Sequence, residues 1–130
     1  MLIEDYFLHV ERILTLCSQV ERVTLTKEKR APHIGFVKGE IVFSGGSRLF
    51  MMEFVHTEPG ICKTKYRYHC QDAAGHLLFR YDHAPHHHTE TFPAHKQIFH
   101  SATGETVMAA HPPTIEALLD EIVRREAQGG

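Results

Sequence analysis

Cysteine is scarce in this chain. Cys17, Cys62 and Cys70 are odd in number and show no CxxC spacing, which argues against a disulfide framework and against a thiolate zinc knuckle. They read instead as small buried apolar residues. Long apolar runs are also missing, since no stretch approaches the about 20 residues a membrane-spanning helix needs. A dominant charge of either sign is missing too: 14 basic against 16 acidic residues give a net charge of −2 with histidines neutral, so any nucleic-acid surface has to be local. Basic residues are absent from the first turns, where "MLIEDYFLHVERIL" carries acids; this is unlike a signal peptide and leads us to expect a cytoplasmic protein. No internal repeat or linker divides the chain. Residues 1–130 therefore read as one domain, long enough to bury about two-thirds of its unfolded surface.

What is present is a clear change of period along the chain. Ile3, Tyr6, Phe7, Val10, Ile13, Leu14 and Cys17 follow the spacing of one helical face, and Glu4 and Asp5 suit the positive end of the helix dipole. From Val20 the apolar residues begin to alternate. "FVKGEIVF" and "RLFMMEFVH" flank Ser44-Gly45-Gly46-Ser47, a hairpin signal because glycine tolerates positive φ. In "CKTKYRYHC" the alternation puts Cys62, Thr64, Tyr66, Tyr68 and Cys70 on one side and Lys63, Lys65, Arg67 and His69 on the other, a wholly basic face. Asp72-Ala73-Ala74-Gly75 reads as a turn into "HLLFRYD", which would carry Arg80 and Asp82 onto the basic face. A further short strand, "KQIFH", follows, and Pro112-Pro113 leads into a last helix with Ile115, Leu118, Leu119, Ile122 and Val123 on one stripe. The prediction is an α+β fold: a single antiparallel sheet of about five to six strands, packed on one face by an N-terminal and a C-terminal helix.

Five of the twelve histidines fall in "FRYDHAPHHHTETFPAHK", residues 79–96. One reading is a metal site. Asp82, His83, His86, His87, His88 and His95 are good ligands for zinc or nickel, although the spacing is permissive and no HExxH or thiolate orders it. A second is proton transfer to and from RNA, with histidines as acid and base and Arg80, Arg67 or Lys96 as cations. A third is a polar loop. Arg80 and Asp82 can simply pair with each other, and Lys63, Lys65 and Arg67 can be a solvated sheet face instead of an RNA-binding patch. Glu53 shares a face with Leu49, Met51 and Val55, so it needs either a partner such as Arg67 or Arg80, or a raised pKa.

The string "FRYDHAPHH" followed by "TFPAHK", with "EFV" at 53–55, "YRY" at 66–68 and the opening "MLIEDYFLHVERIL", resembles the TumE family of bacterial toxin–antitoxin proteins over nearly the whole chain. The matching positions are Glu53, Tyr66, Tyr68, Arg80, Tyr81, Asp82, Pro85, His86, His87, Phe92, Pro93, His95 and Lys96. The sequence departs from the family pattern in carrying His83 in place of the usual asparagine, Ala94 in place of a frequent histidine, and Gln97 in place of another. The departures weigh against a many-histidine metal site more than against a catalytic pair, because His86, His87 and His95 are kept.

The resemblance implies the toxin half of a type II pair, masked by a small antitoxin and inhibiting growth through RNA or translation. Metal-independent RNA cleavage is the expected chemistry, with no cofactor. Its candidate residues are His86, His87, His95, Arg80, Asp82 and Lys96; Lys63, Lys65, Arg67 and Tyr81 are the RNA-contacting candidates. The alternative is a histidine-rich zinc- or nickel-binding module without catalysis, built on Asp82, His83, His86, His87, His88 and His95. A protein that acts only by binding a partner is the third.

Overall fold

A computed structural model describes residues 1–83, 94–100, 104–109 and 112–129 of the chain. The first helix, α1 (Ile3–Leu16), buries Ile3, Tyr6, Phe7, Val10 and Leu14 along one stripe. Each apolar side chain of this kind contributes about 1.5–3 kcal/mol when fully withdrawn from water. The helix stops where Cys17 turns extended, and a turn closed by Val20 N–H donating to Cys17 O starts the sheet.

Seven strands follow: β1 (Val20–Ala31), β2 (Ile34–Phe43), β3 (Arg48–His56), β4 (Cys62–Gln71), β5 (Leu77–His83), β6 (Ala94–His100) and β7 (Gly104–Ala109). Spatial order equals chain order, and every pair is antiparallel. The two turns read from sequence are present. Gly46 has φ 93° in the β2–β3 turn and Gly75 has φ 90° in the β4–β5 turn, a region L side chains enter only with strain. The fold class is the one the sequence predicts. Among the described residues the strands number seven against an expected five to six, because Gly104–Ala109 forms a further strand.

The second helix, α2 (Ile115–Gly129), starts behind Pro112-Pro113 with Thr114 as its cap: Ala117 N–H donates to Thr114 Oγ1 at 3.1 Å. Arg124 and Arg125 lie before the last turn and pair with Asp120 and Glu121 at 3.2 and 3.0 Å. The buried stripes of both helices and alternate residues of β2–β5 join one core, including Val37, Ile41, Leu49, Met51, Tyr68 and Phe79. Both helices cover the same sheet face, as their single apolar stripes require. Lys27 and Lys29 of β1 tie α1 down by ion pairs with Glu11 (2.9 Å) and Glu4 (2.8 Å). Among the described residues no helix is long and apolar enough to cross a membrane.

One irregularity decides where the polar residues go. Between β3 and β4 the register slips: Phe54 pairs with Lys65, but Val55 pairs with Lys63. This bulge places two exposed residues, Thr64 and Lys65, in succession and reverses the facing of everything before it. Lys63 therefore leaves the basic face that simple alternation gives it and enters the helix-covered side, where only 9% of its side chain is exposed. Cys62 changes side with it and is exposed, Cys17 is half-buried, and Cys70 alone of the three is fully buried; burial pushes its thiol pKa up to about 12.

Candidate functional site

Beneath the helices Lys63 completes a buried polar cluster. Glu53, with no solvent exposure, accepts a hydrogen bond from Tyr6 Oη at 2.5 Å and another from Tyr68 Oη. Lys63 Nζ lies 2.9 Å from Glu53 Oε2. The same ammonium donates to Tyr68 Oη and to the Pro113 carbonyl, each at 2.6 Å. The sequence suggests Arg67 or Arg80 as the partner of Glu53; both lie on the opposite face, and the bulge supplies Lys63 instead. Burial, and then the charge of Glu53, raise the phenol pKa values of Tyr6 and Tyr68, so these hydroxyls remain donors. Tyr66 stacks on Tyr68 at 5.8 Å, and the His83 ring lies 6.2 Å from Tyr66. Burial, followed by the charge of Asp82, pushes the Tyr66 hydroxyl up to about 12.

On the other face β4 and β5 bring Arg67 opposite Asp82 and His69 opposite Arg80, and directly opposed residues share a face. Arg80 and Asp82 pair with each other, Nε to Oδ2, at 3.7 Å, and the Asp82 side chain is only 14% exposed. That separation is beyond hydrogen-bond length. Arg80 Nε makes no hydrogen bond among the described residues. Strand β6 then returns beside β5 in a register that sets His95 opposite Asp82, Lys96 opposite Tyr81 and Ala94 opposite His83. Four of the expected catalytic positions, Arg80, Asp82, His95 and Lys96, are thus gathered on two adjacent strands. His86 and His87, and His88 with them, lie outside the described residues.

The RNA-contacting candidates divide. Lys65 and Arg67 are exposed on the open face. Lys63 is withdrawn into the buried cluster, and Tyr81 lies on the helix side, 9% exposed, donating to Glu121 Oε1 at 3.2 Å. Of the metal candidates, Asp82 and His83 are consecutive in β5, which turns them to opposite faces. Among the described residues no three His, Cys, Asp or Glu side chains gather where a metal ion could be held.

Sequence reasoning missed the aromatic side chains of the open face. Phe36, Phe50 and Phe54 project away from the helices, beside Lys38, Met52, Lys65 and Arg67. A signal existed: in "RLFMMEFVH" both alternating sets are largely apolar, which a strand with one solvated face does not need.

These features define the class: a small α+β protein whose meandering antiparallel sheet is covered by two helices on one face and left open on the other. The chain belongs to the Toxin TumE family, whose sequence model matches residues 10–128, and a toxin role follows from that membership. No curated protein and no solved structure matches the chain.

Proposed function

We propose that the chain is the toxin of a type II toxin–antitoxin pair and arrests growth in the cytoplasm by cleaving RNA without a metal ion. The single observation that supports the chemistry is the β5–β6 register, which sets His95 opposite Asp82 one residue from Lys96 and beside the strand that carries Arg80. Cleavage needs a base to take the 2′-hydroxyl proton, so that the oxygen attacks the adjacent phosphorus. It also needs an acid to protonate the departing 5′-oxygen, and cations to stabilise the charged phosphorane. His95 and either His86 or His87 take the two proton roles. Arg80 holds the phosphate, and Asp82 orients an imidazole through its ring nitrogen; Lys96, paired with Tyr81 of the helix side, is left out of this set. The antitoxin is expected to cover the β5–β6 pair.

The test measures growth arrest on induction, and RNA cleavage in EDTA, for wild type and for His86→Ala, His87→Ala, His95→Ala and Arg80→Ala, each checked for folding. Loss of an acid–base histidine is expected to slow cleavage by about 10²–10⁴ with a bell-shaped pH profile in the wild type. Full activity in all four variants, or cleavage abolished by EDTA, overturns the mechanism. Zinc retained through dialysis and lost in His86→Ala replaces it with the metal-binding reading.

A further inference from the structure

The open face of the sheet carries flat apolar rings where solvent contact alone would favour polar residues. Phe36 and Phe54 lie with centroids 5.7 Å apart and tilted by 58°, and the Arg30 guanidinium sits 5.3 Å above the Phe54 ring. Phe50 is 37% exposed and meets His69 edge-on at 6.0 Å. The three rings line a shallow depression of about 440 Å³ whose rim carries Lys38, Lys65 and Arg67. None of them is needed by the core, which closes on the other face.

Charge on this face is arranged to match. The three carboxylates set among these residues, Glu28, Glu40 and Asp82, are each paired with an arginine: Arg30 at 3.0 Å, Arg48 at 3.1 Å and Arg80 at 3.7 Å. Lys38, Lys65 and Arg67 make no ion pair among the described residues. What remains is three aromatic planes beside three available cations, complementary to a ligand with flat rings and regularly spaced anions. An acidic peptide satisfies the cations and leaves the rings unexplained; a single-stranded nucleic acid satisfies both, since each exposed base has a face to stack and each link a phosphate.

We infer that this depression is a binding platform for single-stranded RNA: bases stack on Phe36, Phe50 and Phe54, and their phosphates meet Lys38, Lys65 and Arg67. The inference rests on the reading of the β5–β6 pair as an RNA-directed site and names how its substrate is held. Arg67 lies opposite Asp82, which lies opposite His95, so a strand bound on the platform continues onto that strand pair. At about 4.8 Å between neighbouring strands, β3 to β6 spans about 14 Å, within reach of a short oligonucleotide.

The test is fluorescence anisotropy of a labelled oligouridylate with the full chain carrying His95→Ala, so that binding is read without turnover. On that background Phe54→Leu, which keeps an apolar side chain but removes the stacking plane, is expected to weaken binding about tenfold, and Phe54→Tyr to leave it unchanged. Lys65→Gln is expected to lessen the slope of log affinity against log salt by about 0.7. Equal affinity of the Phe54→Leu variant at an unchanged melting temperature overturns the platform. Affinity for duplex RNA equal to that for the single strand overturns it as well, because paired bases cannot stack on a sheet. A Phe54→Leu variant that still binds RNA but no longer co-purifies with the antitoxin makes the face a protein interface and also overturns it. If binding follows the expected pattern while no RNA is cut by wild type, the platform stands and the catalytic reading fails.

Discussion

Removing the charge of Glu53 tests whether the buried cluster is a true ion pair holding the molecule together. In Glu53→Gln the side-chain shape is kept and one carbonyl oxygen remains to accept from Tyr6 or Tyr68, but Lys63 loses its counter-ion. At 2.9 Å and an effective dielectric of about 20, that attraction is about 6 kcal/mol. Lys63 keeps the Tyr68 oxygen and the Pro113 carbonyl, so the net loss falls within the about 3–5 kcal/mol typical of a broken buried pair. With 130 residues and an unfolding entropy of about 0.27 kcal/mol/K for a chain of that size, the melting temperature should fall by about 11–18 °C. Lys63→Met should cost a similar amount, because it strands the Glu53 carboxylate. The double variant, which removes both charges, should recover a coupling of about 2 kcal/mol or more. Thermal melts followed by circular dichroism give all three numbers. A Glu53→Gln protein melting within about 3 °C of wild type, a shift worth less than 1 kcal/mol, or a double variant equal to the sum of the singles, refutes the reasoning.

Two other perturbations follow from the geometry. Tyr66→Phe removes a buried hydroxyl that has no hydrogen-bond partner among the described residues and should leave the denaturant midpoint within about 0.5 kcal/mol of wild type, whereas Tyr66→Ala, which also empties the ring volume, should lose about 3–5 kcal/mol. Asp72 accepts hydrogen bonds from the backbone N–H groups of His76 and Ala74 at 2.9 Å, and the first of these chiefly holds its carboxyl below the usual range. A depressed folded pKa adds stability that is present above the unfolded carboxylate range and is lost as pH falls through the folded value. The melting-temperature advantage of wild type over Asp72→Asn should therefore be largest near neutrality and vanish in strong acid; an advantage that grows as pH falls contradicts it.

The helices and turns were legible because their signals are local. Five residues of the α1 stripe are fully buried, and Gly46 and Gly75 have the positive φ their turns require. The fate of Lys63 was not legible. Alternation from Cys62 to Cys70 is unbroken in the sequence, and the slip between Phe54 and Val55 depends on how β3 and β4 pair across space. Without that slip, simple alternation puts Lys63 on the basic face, away from Glu53, and leaves the carboxylate either an arginine partner or a raised pKa. The candidate site was legible in part. The β5–β6 register brings His95 opposite Asp82 and Lys96 opposite Tyr81, while the histidines between the strands, His86, His87 and His88, lie outside the described residues. The aromatic face escaped notice because one apolar strand face was enough to explain a core.

A sheet whose spatial order repeats its chain order can be assembled from one edge during synthesis, each new strand meeting a partner that has already emerged. Loop-closure costs stay small at every step, since no strand waits for a distant one. The cover is completed on a different schedule. The stripe of α2, with Ile115, Leu118, Leu119 and Ile122, follows every described strand in the chain, so the apolar rings of Tyr68 and Phe79 lack part of their shelter until α2 has left the ribosome. A message truncated before Ile115 would encode every strand of the sheet and still yield a chain with an uncovered oily face, prone to aggregation. Nonsense mutations between β7 and α2 should thus remove the protein by insolubility, with the residues of the β5–β6 pair still encoded.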